Sequence, residues 1–190
     1  MSTKVVTGKV RFSFCHVFEP QEPQGGGDPK YSVTLLIPKT DTATIEKIKT
    51  AMAEARENFC KRNGANALPP KPVHTLHDGD GTKDNGEDYG PECKGCYVIS
   101  VSSKQKPVVV DEFGQETSDP GSVYSGCYGR ASINFYGYSR NGKKGISAGL
   151  LAVKKLHDGE PFGTVGSASD FEDDYMDADV KTPFDDGFMG

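Results

Sequence analysis

The chain has 190 residues and combines modest apolar content with many glycines and prolines and no tryptophan, which is typical of a loop-rich β protein of one domain. Its first residues contain no long apolar run, so we predict neither a signal peptide nor a membrane span. Five scattered cysteines argue against a secreted disulfide framework and indicate a cytoplasmic protein with reduced thiols.

Charge is divided unevenly along the chain. Residues 167–190 carry eight acidic side chains against one lysine, or −7, and because the whole chain carries −5, residues 1–166 carry +2. A weakly basic body joined to a strongly acidic tail indicates a nucleic-acid or charged protein partner. Few tail residues could build a core, so we predict a folded domain over residues 1–165 and a disordered acidic tail over residues 166–190.

Apolar periodicity predicts two strands and one helix in the first half of the chain. Residues 5–18 alternate as in a half-buried strand, and a loop rich in proline and glycine separates them from a second strand over residues 30–37. The predicted core face of the first strand consists of Val10, Phe12 and Phe14. Residues 41–63 change to helical spacing, with an N-cap at Asp41 or Thr42, and we expect this helix to cover one end of a sheet.

The second half of the chain is predicted to be β structure after an irregular, loop-like segment over residues 65–96. The predicted strands span residues 97–103, 107–111, 122–139 and 146–156. A cationic turn containing Asn-Gly joins the last two of these strands. The pattern predicts a mainly β fold, an OB-type Greek-key barrel of five to six strands with one inserted α-helix. A β-sandwich is the alternative that periodicity leaves open.

The strand predicted over residues 122–139 has two unlike faces. The apolar face consists of Ala131, Ile133 and Phe135. The opposite face carries aromatic rings, a guanidinium and polar groups, from Tyr128, Arg130, Ser132, Asn134, Tyr136 and Tyr138. Rings beside a cation can stack unpaired bases and hold their phosphates. Tyrosines that simply cover a sheet are the alternative interpretation.

Further cations could line the same groove as these rings. The predicted binding set for single-stranded DNA (ssDNA) consists of Lys9, Arg11, Lys104, Lys106, Tyr128, Arg130, Tyr136, Tyr138, Arg140, Lys143, Lys144 and Lys154. For any single lysine of this set, an ordinary solvated charge is the alternative. The prediction therefore depends on the combination of these residues with the acidic tail.

Catalytic and metal-binding motifs are weak or missing in the sequence. Two pairs of ligand residues form a weak zinc candidate, with the order reversed from the usual finger: His74, His77, Cys93 and Cys96. We find neither a nucleophile elbow nor a glycine-rich phosphate-binding motif. We predict a protein that is not an enzyme and that uses no metal or cofactor.

Residues 124–138 (YSGCYGRASINFYGY), followed by 144–154 (KGISAGLLAVK) and 158–162 (DGEPF), resemble a phage-encoded family of ssDNA-binding proteins formerly classed as a domain of unknown function. The resemblance implies an OB fold with an acidic C-terminal tail, as in the T7-type replication protein. It also implies sequence-tolerant ssDNA binding during phage replication or recombination in the cytoplasm of the infected bacterial host. It further argues against the zinc candidate.

The acidic tail resembles a nucleic-acid mimic, because its carboxylates can stand in for phosphates and its rings for bases. We expect it to compete for the basic groove and to recruit phage or host replication proteins such as a polymerase, helicase or nuclease. The residues predicted to do so are Asp173, Asp174, Phe184, Asp185, Asp186 and Phe188. Residues 183–186 (PFDD) resemble the tip of bacterial tails, although Gly190 rather than phenylalanine is last.

Several alternatives stay open at this point. The tail could serve only to keep the protein in solution. The whole chain could be an RNA-binding OB module, or a protein-interaction or virion component that binds no nucleic acid. The sequence also leaves a homodimer open.

Overall fold

The computed structural model describes residues 2–22, 26–83 and 85–162, which form a mainly β structure with one α-helix. In chain order the elements are β1 (Lys4–Val6), β2 (Val10–Gln21), β3 (Lys30–Pro38), α1 (Thr42–Asn63), β4 (Leu76–Asp78), a 3₁₀ turn (Pro91–Cys93), β5 (Cys96–Ser103), β6 (Val108–Val110), β7 (Tyr128–Arg140) and β8 (Lys143–His157). The predicted acidic tail and the domain boundary at residue 165 lie outside the described residues. No helix within those residues is long and apolar enough to cross a membrane.

The strand pairings close the sheet into an OB-type barrel. β2 pairs antiparallel with β3, β3 pairs antiparallel with β5, and β5 pairs parallel with β8. β8 and β7 form a long antiparallel hairpin, and β7 returns to β1 and β2 at the start of the chain. Because the last pairing meets the first strands, the sheet closes on itself. The predicted barrel is confirmed, and the sandwich alternative is wrong.

Alternate side chains of β7 point into the interior of the barrel. Ala131, Ile133 and Phe135 are buried, as predicted, and they pack with side chains from the other barrel strands, including Phe12 and Ile99. Successive side chains of a strand point to opposite faces. The alternate residues of β7, from Tyr128 to Tyr138, therefore lie on the outside of the barrel.

Helix α1 closes one end of the barrel, as predicted. Its N-terminus is capped by the Asp41 carboxylate, which accepts a hydrogen bond from the Thr44 backbone N–H at 3.2 Å. Its apolar stripe belongs to the main core through Ile45, Ile48, Ala51, Ala55 and Phe59. The helix approaches β7 closely at Gly137, where a Cβ atom would lie 2.6 Å from Cβ of Phe59. Glycine at this position lets the helix end pack directly on the strand.

A β-bulge in β2 changes the predicted core. Ser13 is opposite Thr34 and His16 is opposite Ser32, so β2 has one more residue than β3 between these pairs. Phe14 lies in the bulge at φ 46° and is 70% exposed. The extra residue reverses the alternation, which puts Val17 inside and Phe14 outside. The prediction that Phe14 shares the core face of Val10 and Phe12 is therefore wrong.

The segment predicted as a long loop over residues 65–96 contains β4, the 3₁₀ turn and buried apolar residues. Leu68 and Leu76 reach the main core. Lys39 forms ion pairs of 2.7 Å with both Asp78 and Asp80. Its ammonium group lowers the pKa of both carboxyls. These contacts attach the segment to the β3 end of the barrel, so it is more ordered than its proline and glycine content predicts.

Candidate nucleic-acid interface

An open groove of about 790 Å³ lies where the tip of the β7–β8 hairpin meets the ends of β3 and β5. Its lining combines two tyrosine rings with basic side chains from well-separated parts of the sequence. These residues are Tyr136, Tyr138, Lys30, Lys104, Arg140 and Lys143. The rings can stack bases while the cations neutralise phosphates, so the groove has the chemistry of a single-strand site.

The Tyr136 ring lies over the outer surface of β8. Tyr136 is opposite Ser147 in the ladder and is 43% exposed. A Cβ atom at Gly149 would lie 3.6 Å from Cε1 of Tyr136 and 3.8 Å from the Ser102 carbonyl oxygen. Since glycine has no side chain there, the ring extends across β8 toward β5 and keeps an open face. An open aromatic face is what base stacking requires.

The tip of the hairpin concentrates positive charge. Arg140 and Lys143 are directly opposite each other and are exposed. Like charges in this position destabilise a strand pair. The turn between them is made by Asn141 at φ 54° and Gly142 at φ 79°, which confirms the predicted Asn-Gly turn. A bound anion would offset the repulsion, so the tip is suited to a phosphate group.

The groove continues onto a strip of small hydroxyl side chains on the outer face of β3 and β5. We call this the hydroxyl strip; it consists of Ser32, Thr34, Ser100 and Ser102. Ser102 lines the groove and is opposite Ser32, and Ser32 is in turn opposite His16 of β2. The face formed by the second and third barrel strands is the one that OB folds use for oligonucleotides. The strip could not be predicted from the sequence, because single serines and threonines in a strand are also common where a strand simply faces solvent.

A second aromatic and cationic cluster lies at the other end of β7, roughly 30 Å along the strand from Tyr138. The Tyr128 and His157 rings stack with centroids 4.8 Å apart. The Arg11 guanidinium lies between two rings, at 5.2 Å from the centroid of Tyr128 and 4.2 Å from that of Phe162. Lys9 is 5.6 Å from the Tyr128 centroid. The structure thus brings together Lys9, Arg11 and Tyr128, but apart from the groove.

The Arg11 donors already have partners within the chain. Its Nε donates to the Gly126 carbonyl at 3.0 Å, and a terminal nitrogen donates to the Glu160 carbonyl at 2.7 Å. These bonds attach residues 158–162, which we call the strap, to the outside of the barrel. The Phe162 N–H adds a bond to the Ser125 carbonyl at 3.1 Å. Arg11 therefore positions the strap, whether or not it also contacts a phosphate.

Ion pairing holds the start of the strap. The buried Lys155 ammonium lies 2.6 Å from the Asp158 carboxylate, and the Tyr124 hydroxyl donates to the same carboxylate at 2.8 Å. Lys155, and then Tyr124, hold the pKa of Asp158 below its usual range. At the other end, Phe162 packs on a small cluster of Leu36, Cys93 and Val98, beside the hydroxyl strip.

The remaining predicted residues lie on the outer surface of the barrel. Arg130 is opposite Lys154, and its Nε donates to the Thr7 carbonyl at 2.8 Å. Lys106 and Lys144 are exposed. The structure thus places the predicted residues in two regions, the groove and a separate cluster at Tyr128, and Arg130 and Lys154 lie between them.

The zinc candidate is not assembled. Within residues 2–22, 26–83 and 85–162, no three His, Cys, Asp or Glu side chains are grouped so that they could hold a metal ion. His74 forms a bridge to Ile146 of the hairpin, whereas Cys93 packs on Leu36 and Val98. Burial lowers the pKa of His74, and the nearby His77 lowers it further.

Comparison with known sequences identifies one family. The family model described as the ssDNA-binding protein of Enterobacter phage Enc34 matches residues 3–181. Protein p50 of Acyrthosiphon pisum secondary endosymbiont phage 1 is 36% identical over 178 residues, which cover 90% of this chain and 93% of p50.

Solved structures lead to the same family. The ssDNA-binding protein of bacteriophage Enc34 in complex with ssDNA matches with a TM-score of 0.74 and 31% identity, over 85% of this chain and 90% of that protein. The ssDNA-binding protein gp2.5 of bacteriophage T7 matches with a TM-score of 0.59 and 14% identity, over 94% of this chain and 97% of gp2.5, which shows a shared fold. The resemblance seen in residues 124–162 is confirmed, and the chain belongs to the family of the phage Enc34 ssDNA-binding protein.

Proposed function

We propose that this protein binds ssDNA with little sequence preference during phage replication and recombination, in the cytoplasm of the infected host. The observation that carries the proposal is the groove, where two tyrosine rings lie among four basic side chains. The family membership supports it, since the Enc34 protein is an ssDNA-binding protein with a solved ssDNA complex. The function needs no bond-making step, and we assign no catalytic role to any residue.

Binding would combine stacking with charge neutralisation. Bases would stack on the rings of Tyr136 and Tyr138, while Lys30, Lys104 and the hairpin tip neutralise the phosphates. Each stacked base contributes about 1–3 kcal/mol, and the phosphate contacts add a salt-dependent contribution. Stacking is tolerant of sequence because every base has a π-face.

The route beyond the groove would follow the hydroxyl strip toward β2. The Ser32, Thr34, Ser100 and Ser102 hydroxyls can bond to phosphate or sugar oxygens without selecting a base. Arg130, Lys154 and the Tyr128 cluster, with Lys9, Lys106 and Lys144, form a broader basic surface that could attract the strand. In this arrangement the groove and strip hold the DNA, and the other cations mainly raise the association rate.

We further propose that the acidic tail competes with DNA and recruits replication proteins such as a polymerase, helicase or nuclease. The residues proposed to act are Asp173, Asp174, Phe184, Asp185, Asp186 and Phe188. The attachment of Phe162 beside the hydroxyl strip supports this, because Phe162 lies next to the proposed DNA path and is only four residues before the tail. Bound DNA would displace the tail and make it available to those partners.

The salt dependence of binding tests the groove. In single-strand binding, log K falls with log salt by about 0.7 for each phosphate neutralised. Replacing both Arg140 and Lys143 with alanine should therefore reduce the slope by roughly 1.4, a change measurable by fluorescence anisotropy with labelled oligo(dT). The matched control removes Lys47 and Lys49, two exposed lysines in the N-terminal half of α1, away from the helix end at Phe59 that packs on the hairpin.

Equal slopes for the two double variants would contradict the assignment of the groove. If the unmodified protein does not bind oligo(dT) at ~50 mM salt, where phosphate contacts are strong, the proposed function itself is wrong. Matched RNA oligonucleotides and duplex DNA complete the series. We expect weaker binding to duplex, and equal or tighter binding to RNA would favour the RNA-binding alternative.

Removing the tail tests the competition. A protein ending at residue 166 should bind oligo(dT) more tightly than the full chain, and the gain should be largest at low salt, because the tail and DNA both use charge to reach the groove. A full-length variant with Asp185 and Asp186 changed to asparagine should show a smaller gain. A truncated protein with unchanged affinity at every salt concentration would leave the tail without a competing role.

A further inference from the structure

Phe14 combines two unfavourable features that the fold does not require. Its backbone has φ 46°, a region that bulky residues rarely occupy, and its side chain is 70% exposed. Glycine or asparagine would adopt the same conformation with less strain, and a polar side chain would suit the exposure. Residues held in such conformations cluster at functional sites. Because Phe14 does not contribute to the core, we look for a function of its exposed ring.

The bulge places Phe14 at the end of the hydroxyl strip. Its neighbours in β2, Ser13 and His16, are opposite Thr34 and Ser32 of β3. Those residues are opposite Ser100 and Ser102 of β5, and Ser102 lines the groove beside Tyr136. Strand register thus leads from the tyrosine groove on β8, across β5 and β3, to the segment of β2 that carries Phe14. Three inter-strand steps make this path roughly 15 Å long.

We propose that Phe14 is a base-stacking residue that marks the far end of the ssDNA path, with the groove tyrosines at the other end. The inference rests on the proposed ssDNA-binding function and extends it to a residue that sequence alternation places in the core. The ring has an open face for a base, and the hydroxyl strip between the aromatic ends can hold the backbone of the intervening nucleotides. Because the paired strands on either side of the bulge hold the Phe14 backbone, less ordering of the main chain is needed on binding.

A glycine substitution separates this role from a structural one. Because glycine is unstrained at φ 46°, the Phe14→Gly protein should melt at the same or a higher temperature than the unmodified protein. Its affinity for oligo(dT) should fall about 5- to 150-fold, as expected for the loss of one stacked base. A residue needed for folding would instead lower the melting temperature and leave the affinity of the folded protein unchanged.

The absence of tryptophan allows a direct optical test. In the full-length Phe14→Trp protein, the single indole should be quenched when saturating oligo(dT) is added. The matched control is Phe113→Trp, since Phe113 is another exposed phenylalanine, 82% accessible, in a turn held by the Asp111 carboxylate. This turn follows β6, which pairs with β8 rather than with β3 or β5. Its fluorescence should not change.

The outcomes separate the inference from the function on which it rests. If the unmodified protein binds oligo(dT) but Phe14→Gly binds within twofold of it, the inference is wrong and the proposed function stands. Equal quenching of the two tryptophan variants overturns the inference as well. If the unmodified protein does not bind oligo(dT), both the inference about Phe14 and the proposed function are wrong.

Discussion

Replacing Phe135 with alanine should lower the free energy of unfolding by about 3–5 kcal/mol and leave the ssDNA affinity of the folded protein unchanged. Phe135 is 1% exposed in the main core, so the variant leaves a cavity that its neighbours cannot fill completely. The next residue should behave in the opposite way. Tyr136→Ala should weaken oligo(dT) binding by about 1–3 kcal/mol, or 5- to 150-fold, and alter stability by less than about 1 kcal/mol.

The two substitutions control for each other, because they remove similar rings from adjacent positions on opposite faces of β7. Urea unfolding gives the stabilities, and oligo(dT) titration at a temperature where both variants are folded gives the affinities. Tyr136→Phe should keep most of the affinity, since the ring rather than the hydroxyl would stack. An affinity for Tyr136→Ala within twofold of the unmodified protein would show that this side of β7 does not meet DNA.

Replacing Arg11 with alanine should lower the free energy of unfolding by about 1.5–3 kcal/mol, the range for hydrogen bonds made by charged groups. Arg11→Lys should restore little of this loss. One guanidinium bonds to two separate carbonyls while it packs between the rings of Tyr128 and Phe162, and an ammonium cannot reproduce that planar arrangement. Urea unfolding of the full-length variants measures the effect.

The lysine variant also tests the prediction that Arg11 contacts a phosphate. If the charge alone mattered, Arg11→Lys would keep both the affinity and its salt dependence, and the alanine variant would lose about 0.7 from the slope. For stability alone, the neighbouring Lys9→Ala is the comparison, because Lys9 is exposed and its Nζ contacts the His157 ring, at 3.3 Å, rather than the strap. We expect little change in its stability. A fully stable Arg11→Lys protein would contradict the role of Arg11 in holding the strap.

Much of the fold could be predicted because its elements repeat simple periods. The alternation of β7 correctly placed Ala131, Ile133 and Phe135 inside, and the apolar stripe from Ile45 to Phe59 correctly indicated a helix against the core. The exception is Phe14. A β-bulge adds one residue without altering the composition, so no local pattern shows that the alternation reverses.

Most of the predicted residues that line the groove are neighbours in the sequence, and Lys104 is the one that follows a distant strand. Tyr136, Tyr138, Arg140 and Lys143 belong to one hairpin, and the structure brings them together. Lys30 and the hydroxyl strip come from distant strands whose register depends on how the whole barrel closes. Arg11 was predicted as a free cation, since the carbonyls of Gly126 and Glu160 become its partners only after the strap folds back.

The closure of the barrel also sets when this protein can fold. β1 and β2 are synthesised before β7, and they find their β7 partners only after more than a hundred further residues have been added. Until then Phe12 has an incomplete core and the outer edge of β2 is unpaired, a condition that favours association with other chains. Such non-local pairing gives high contact order and slow folding, on the millisecond-to-second scale. Acquisition of the native state is therefore a late, all-or-none event, and a fragment that stops before Tyr128 should stay unfolded.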